Sequence, residues 1–201
     1  VRCNSLKEIK VSNENEKYTS IDGVLYNKEK TVIVKYPAAK KELTYNIQNS
    51  VIKLGPDVFS DSSNLVNIVI PNNVETIGAY AFQGCSNLKN ITLSDKLETI
   101  DEYAFANITS LEVLNIPTTV ETIGAKAFSG CTKLNVVLPE SLKTIGDYAF
   151  ENNSATGKLN IPEKVETIGL YAFSNCTKLK ELLLPSSLKK IDYYAFAGST
   201  N

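Results

Sequence analysis

The chain has 201 residues, of which 43% are hydrophobic and 21% are charged, so its composition fits one sizeable folded unit and excludes a disordered segment. Its formal net charge of -1 argues against a nucleic-acid partner or binding to an acidic membrane surface. No apolar run approaches the roughly 20 residues needed to cross a bilayer, no secretory signal is visible, and the lack of methionine leads us to expect a processed or excised chain.

The first part of the chain combines an incomplete repeat with an irregular segment. Residues 1–12 resemble part of a repeat that is fully formed only later in the chain. The pattern then breaks over residues 13–47, where two strand-like runs, Val24 to Tyr26 and Thr31 to Tyr36, flank the polar sequence "NKEK". This arrangement predicts a β-hairpin insert that covers one side of an early coil. Because loops often carry function, a binding role for the insert is the alternative.

Residues 48–201 consist of repeats of about 23 residues. The repeat begins with an alternating apolar segment such as "LKNITLS", which predicts a short strand that proline or serine ends. A second short segment, "VETI", is followed by a glycine that we expect to form an unhindered turn, and then by "Ala-Phe". All seven phenylalanines occupy this one position, at steps of 23, 23, 23, 22, 23 and 23 residues: Phe59, Phe82, Phe105, Phe128, Phe150, Phe173 and Phe196.

A fixed period of this length predicts stacked structural units rather than an ordinary globular core. One unit cannot bury its own apolar side, but stacked units can, with Phe82 lying over Phe105. We therefore predict a mainly β solenoid that forms a single domain over residues 1–201, with two narrow parallel sheets and short turns or 3-10 segments. Two irregularities predict a local bulge or altered turn: "LNVVLP" is one residue short, and Thr156 stands where leucine is usual.

The four cysteines are predicted to be buried free thiols. Cys3, Cys85, Cys131 and Cys176 share one position of the repeat. Cys85 and Cys131 would lie two coils apart, roughly 9 to 10 Å by strand spacing. That separation exceeds the roughly 7 Å Cα limit for a disulfide.

At this point the repeat can be compared with known patterns. The unit Leu-x-x-Ile-x-Leu-Pro-x-x-Val-x-x-Ile-Gly-x-x-Ala-Phe-x-x-Cys resembles the BspA-like class of bacterial leucine-rich repeats, and "YTSIDGVLYNKEKTVIVKYP" resembles an insert often found in that class. The resemblance covers nearly the whole chain. It implies a secreted or surface-attached bacterial protein, an extracellular or cell-surface location, and adhesion to host matrix proteins or other cells.

Catalysis is not expected from these residues. The chain has no histidine, so neither a Ser-His-Asp nor a Cys-His arrangement can form, and histidine-based metal centres are excluded. "GAYAFQG" lacks the lysine and the strand-to-helix context of a phosphate-binding loop. We therefore predict no enzymatic activity, no cofactor and no metal.

Two further columns of equivalent residues have open interpretations. Glutamates recur at one position of the "VETI" segment. They form either a solvated surface or a site for a cation or a basic partner. The column contains Glu75, Glu98, Glu121 and Glu166, and Lys143 and Lys189 interrupt it. Tyrosines recur two residues before each phenylalanine, where they shield the core or form an interface: Tyr80, Tyr103, Tyr148, Tyr171 and Tyr194, with Lys126 as the exception.

The candidate partner-binding face lies on the outward positions of the first strand segment of each repeat. Alternation turns Leu65, Ile68 and Ile70 and their equivalents inward, which leaves the remaining positions facing out. Stacking collects these positions on one surface, where exposed apolar groups among amides suit a protein or glycan ligand. Scattered exposed valines are the simpler interpretation. The alternative to a binding or adhesion module is a passive spacer that presents another domain. The face comprises Asn67, Val69, Asn90, Thr92, Val113, Asn115, Val137, Asn160 and Leu183.

Overall fold

A computed structural model describes residues 3–153 and 157–199, whose regular structure consists of strands and turns. Within these residues there are fifteen strands and no helix. The strands are β1 Tyr18–Ile21, β2 Val24–Asn27, β3 Val32–Lys35, β4 Thr44–Asn46, β5 Lys53–Leu54, β6 Asn67–Val69, β7 Thr76–Ile77, β8 Asn90–Thr92, β9 Thr99–Ile100, β10 Thr122–Ile123, β11 Thr144–Ile145, β12 Lys158–Asn160, β13 Thr167–Ile168, β14 Glu181–Leu183 and β15 Lys190–Ile191.

The predicted β solenoid is confirmed, and its longest sheet comes from the "VETI" segments. This long sheet has ten strands in the order β1-β2-β3-β5-β7-β9-β10-β11-β13-β15. Its strands are parallel from β3 onward, and Thr76 pairs with Thr99, which lies one repeat later along the chain. Ile77 and Ile100 are fully buried while their threonine neighbours are exposed, so these coils each contribute one apolar side chain to the core from this side; in the last strand, Ile191 is exposed.

The second sheet is formed by the alternating segments and carries the predicted face. This face sheet is parallel and is divided into a three-stranded part, β4-β6-β8, and a two-stranded part, β12-β14. Two coils lie between the two parts, and their described residues form one isolated parallel bridge in this sheet, from Val113 to Asn135. Leu65, Ile68 and Ile70 are buried, as the alternation predicts.

The predicted hairpin forms, but it is not separate from the solenoid. β2 and β3 pair in antiparallel fashion, and β1, which the sequence did not predict, adds an outer antiparallel strand. β3 also pairs in parallel with β5, and β4 pairs in parallel with β6. The hairpin therefore extends the long sheet. Strands before and after residue 47 belong to the same sheets: β3 and β5 to the long sheet, and β4 and β6 to the face sheet. The division of the chain at that residue stays a prediction.

A continuous column of phenylalanine rings runs through the core. From Phe59 to Phe173 the rings are fully buried, and neighbouring ring centroids are 5.1 to 5.3 Å apart. At the start of the column, the ring centroids of Tyr36 and Phe59 are 5.2 Å apart, and the Tyr45 ring packs beside both. The tyrosines of the hairpin region thus continue the aromatic column and cover its first phenylalanine.

The role predicted for the repeated glycines is wrong. None of Gly78, Gly124, Gly146 and Gly169 has a positive φ, so conformational freedom does not explain them. Instead, a Cβ atom at Gly146 would lie 2.7 Å from the backbone nitrogen of Ala125 and 2.7 Å from the backbone carbon of Gly124. At these four positions glycine is favoured because a Cβ atom would meet backbone atoms of the preceding coil, whereas Asp101 and Asp192 show that other coils accept a side chain at the same repeat position.

The left-handed backbone conformation is found instead in two other columns. One column contains the tyrosines and Lys126, for example Tyr103 at φ 53° and Lys126 at φ 54°. The other lies four residues later and contains Asn107 at φ 61° and Gly130 at φ 74°. Asparagine, aspartate and glycine adopt this conformation readily, but tyrosine and lysine do not. The tyrosine column is therefore held in place by contacts between coils rather than by local backbone preference.

Three cysteines form buried thiols, as predicted, and the fourth does not. The Sγ atoms of Cys85, Cys131 and Cys176 lie 3.1, 3.0 and 3.4 Å from the carbonyl oxygens of Phe59, Phe105 and Phe150, to which they donate. Burial raises the pKa of Cys85 and Cys131 to about 12 and that of Cys176 to about 11. Cys3 is free but exposed, so its predicted burial is wrong; it lies before the first complete coil.

We expect a thiol-alkylating reagent to modify only Cys3 in the folded protein. At mildly alkaline pH, the other three thiols stay protonated because their pKa values are raised, and protonated thiols are poor nucleophiles. Mass spectrometry without reductant should show one modification before denaturation and four after it. A Cys3→Ser variant is the control and should show none before denaturation. Detection of a bridge between Cys85 and Cys131 would contradict the stacking of the coils.

The two sequence irregularities differ in outcome. Two residues separate the buried Leu111 and Leu114 in an ordinary coil, but only one separates the buried Leu134 and Val136. The missing residue therefore lies in the segment that forms the first strand of the repeat in other coils. The described residues of this coil contribute only the bridge at Asn135 to the face sheet. The second irregularity, at Thr156, lies outside the described residues.

Candidate partner-binding face

The structure brings the nine predicted face residues onto one side of the solenoid. The apolar members are well exposed, with Val69 at 47%, Val113 at 65%, Val137 at 74% and Leu183 at 56% of their full accessible surface. The polar members Asn90, Thr92, Asn115 and Asn160 are exposed, and Asn67 is half-buried. The surface therefore combines isolated aliphatic side chains with amides and a hydroxyl.

Parallel pairing arranges the face as two adjacent columns. β6 and β8 align Asn67 with Asn90 in the first column and Val69 with Thr92 in the second. Further along, β12 and β14 align Asn160 with Leu183. Each strand thus turns two side chains outward around one central side chain that points into the core.

Hydrogen bonds between side chains order one end of the first column. The Nδ2 atom of Asn90 donates to Oδ1 of Asn67 at 2.6 Å, and Nδ2 of Asn67 donates to Oγ1 of Thr44 at 3.1 Å. At the other end, Lys158 and Glu181 form a salt bridge of 2.7 Å. The amides and charges of this column are therefore partly paired with one another before any ligand arrives.

Several residues of the same face were missed in the sequence. They occupy the same outward positions of the repeat, so the repeat alignment itself was the signal that could have found them. Two lie on a strand within the segment assigned to the hairpin insert, one lies in the short coil, and two form the salt bridge: Thr44, Asn46, Asn135, Lys158 and Glu181.

The tyrosine column packs against itself, as the shielding interpretation predicts. Tyr80 and Tyr103 stack with centroids 4.7 Å apart, and Tyr171 lies 5.0 to 5.1 Å from its tyrosine neighbours on both sides. Lys126 interrupts the column, with its ammonium group 5.2 Å from the Tyr103 ring and 5.0 Å from the Tyr148 ring. Because ring faces are covered by neighbouring rings and by this cation, the column offers mainly ring edges to a partner.

The glutamate column is partly neutralised by its own lysines. Lys143 forms a salt bridge of 2.7 Å with Glu121, and Lys189 forms one of 2.9 Å with Glu166. These pairs are exposed, so each contributes little to stability. Over residues 3–153 and 157–199, no group of three acidic or cysteine side chains gathers as a metal site. In the same part of the chain, no helix is both long and apolar enough to cross a membrane.

Comparison with known proteins decides the family. Residues 39–155 and 99–201 match the BspA type leucine-rich repeat region, in six copies. The chain belongs to this BspA-type family. Its repeats are therefore leucine-rich repeats, and the family is one of repeat proteins rather than an enzyme family. Among curated proteins, no sequence matches the chain.

Solved structures with the same BspA-type fold come from several bacteria. A leucine-rich repeat protein of T. pallidum is 28% identical, with a TM-score of 0.73 over 88% of this chain and 83% of that one. A leucine-rich cell surface protein of Faecalibacterium prausnitzii is 28% identical, with a TM-score of 0.66 over 90% of this chain and 42% of that one. The pneumococcal vaccine antigen PcpA is 26% identical, with a TM-score of 0.63 over 92% of this chain and 38% of that one. The chain thus spans less than half the length of the latter two proteins.

Proposed function

We propose that the chain is a non-catalytic binding or adhesion module of a cell-surface or secreted protein. The partner is a protein or glycan, such as a host matrix component or a molecule on another cell, and it contacts the face sheet. The observation that carries this proposal is the exposure of Val69, Val113, Val137 and Leu183 on the same side of the solenoid. A surface that contacted only water would be expected to carry polar side chains at these positions.

The chemistry of the face supports recognition rather than catalysis. Its aliphatic side chains can lose water on contact with a partner, while Asn90, Asn115 and Asn160 can donate and accept hydrogen bonds at the rim. The absence of histidine from the sequence removes the commonest general base. The descriptions of the relatives as a cell surface protein and a vaccine antigen support an extracellular location for this chain.

A passive spacer is the second candidate function. The observation in its favour is the regular stacking of the coils, in which the phenylalanine centroids repeat at 5.1 to 5.6 Å over the whole column. Such a rod could hold another domain away from a surface without touching a ligand itself. The two functions differ in what the exposed aliphatic side chains contribute, and this difference can be measured.

The test replaces Val69, Val113 and Leu183 together with aspartate. We expect the triple variant to lose binding to matrix proteins or cells, because three charges would have to be desolvated at the contact. Binding is measured on immobilised matrix proteins and on intact cells, and circular dichroism checks the fold.

The matched control places the same number of aspartates on the opposite sheet, at Thr76, Thr99 and Thr122, and should bind normally. If the folded face variant binds as well as the wild type, the binding site lies elsewhere. If the wild type binds no matrix protein and no cell, the spacer function is favoured.

A further inference from the structure

The short coil changes the shape of the face in the middle of the solenoid. Two depressions flank the exposed Val137 side chain, with volumes of about 290 Å³ and about 210 Å³. The first lies between this coil and the preceding one, and the second lies between it and the following one. The residues lining the first include Asn115, Thr118, Val137 and Glu140, and those lining the second include Asn135, Val137, Glu140, Lys158 and Asn160.

The missing residue accounts for one of the two depressions. The short coil has one fewer outward side chain between Leu134 and Val136, and the second depression lies at this gap, since Asn135 and Val136 line it. The first depression lies toward the other end of the segment, where Asn115 and Thr118 face Glu140. The face sheet is interrupted in this part of the solenoid, where the described residues of the short coil and the preceding one form a single isolated bridge in that sheet, between Val113 and Asn135. Val137, at 74% exposure, remains as a ridge between two recesses.

The charges at this place favour a basic partner. Glu140 borders both depressions, and no salt bridge involves it within residues 3–153 and 157–199. Lys158, the cation in the second depression, is held 2.7 Å from Glu181. The charge left without an ionic partner at the ridge is therefore the carboxylate of Glu140.

The remaining side chains favour a polypeptide over a sugar. None of the described residues that line the two depressions is aromatic, whereas sugar rings commonly stack on aromatic faces. Asn115 and Asn160 lie on either side of the ridge, and each amide can both donate to a carbonyl and accept from an N–H of an extended chain. Aliphatic side chains of that chain can then fill the recesses beside Val137.

We infer that the short coil anchors an extended segment of a protein partner that carries aliphatic side chains next to a lysine or arginine. The aliphatic side chains enter the two depressions astride Val137, and the basic side chain pairs with Glu140. This inference rests on the proposed binding function and specifies its partner. It also assigns a particular place on the face where specificity is determined.

The test uses random linear peptides displayed on phage and selected on the wild-type chain. Selected peptides should be enriched in aliphatic residues beside lysine or arginine. Their affinity, measured by fluorescence polarisation with synthetic peptides, should fall about tenfold or more in Val137→Asp and in Glu140→Lys. The control variants Asp95→Lys, at the repeat position of Glu140 but two coils away, and Thr99→Asp lie outside the depressions and should bind within about twofold of the wild type. Thermal melting of all four variants confirms that they are folded.

Three results would overturn the inference: no enriched basic and aliphatic peptides, unchanged affinity in Glu140→Lys, or binding of an arrayed glycan that Val137→Asp abolishes. These results are distinguishable from failure of the proposed function. If the aspartate triple variant loses binding to matrix proteins or cells while Val137→Asp and Glu140→Lys retain it, the binding module stands and the anchoring site at the short coil does not.

Discussion

Replacing Phe105 with alanine is expected to lower the free energy of unfolding by about 3 to 5 kcal/mol, the usual range for a large core side chain. The ring is fully buried and stacks between Phe82 and Phe128, with 5.3 Å between centroids on each side. Its removal leaves a cavity that the neighbouring rings cannot fill, because each of them is fixed by its own coil. Urea unfolding followed by circular dichroism measures the change.

The matched control is Phe196→Ala at the last phenylalanine of the column. Phe196 is half-buried and stacks on Phe173 alone, at 5.6 Å, so its loss should cost less. A Phe105→Ala variant that is no less stable than Phe196→Ala would show that the interior stack does not hold neighbouring coils together.

Replacing Gly146 with alanine is expected to destabilise the protein by about 1 to 3 kcal/mol, as overpacking does. The added methyl group would lie 2.7 Å from two backbone atoms of the preceding coil, which cannot move aside as a flexible side chain would. The two coils would have to separate locally, and this would disturb the pairing of β10 with β11. Thermal and urea unfolding measure the loss.

Gly157→Ala provides the control for the same chemical change at an open position. The nearest atom to a Cβ at Gly157 is the flexible Cδ of Lys180, at 3.9 Å, so we expect a change within about 0.5 kcal/mol. Equal effects of the two substitutions would mean that turn propensity, rather than the close approach of coils, explains the glycines.

The sequence predicted the features that depend on periodicity. The phenylalanine steps predicted the ring column, and the apolar alternation predicted that Leu65, Ile68 and Ile70 point inward. Both follow because stacking repeats the same environment at every coil. The nine face residues were predicted for the same reason, as the positions that remain when the inward ones are assigned.

Features that depend on the backbone geometry between neighbouring coils were not predicted. The need for Gly146 arises from a backbone in another coil, and nothing in the local sequence distinguishes this from a need for unusual φ. The left-handed conformation of Tyr103 contradicts local preference and is imposed by its neighbours. The depressions beside Val137 were missed because the sequence shows that a residue is absent but not how the adjacent coils close over the gap.

The short coil also shows how a gene for such a solenoid can tolerate change. Loss of one codon in the first strand segment of a repeat removes a side chain from the outer surface. In the short coil, the ring centroids of Phe128 and Phe150 are still 5.2 Å apart. Loss of one codon between Lys126 and Phe128 would instead displace the ring itself. Copying or deleting a whole 23-residue unit would recreate the same contacts between coils. Selection can therefore alter the face by single-codon deletions and the length of the rod by recombination between repeats.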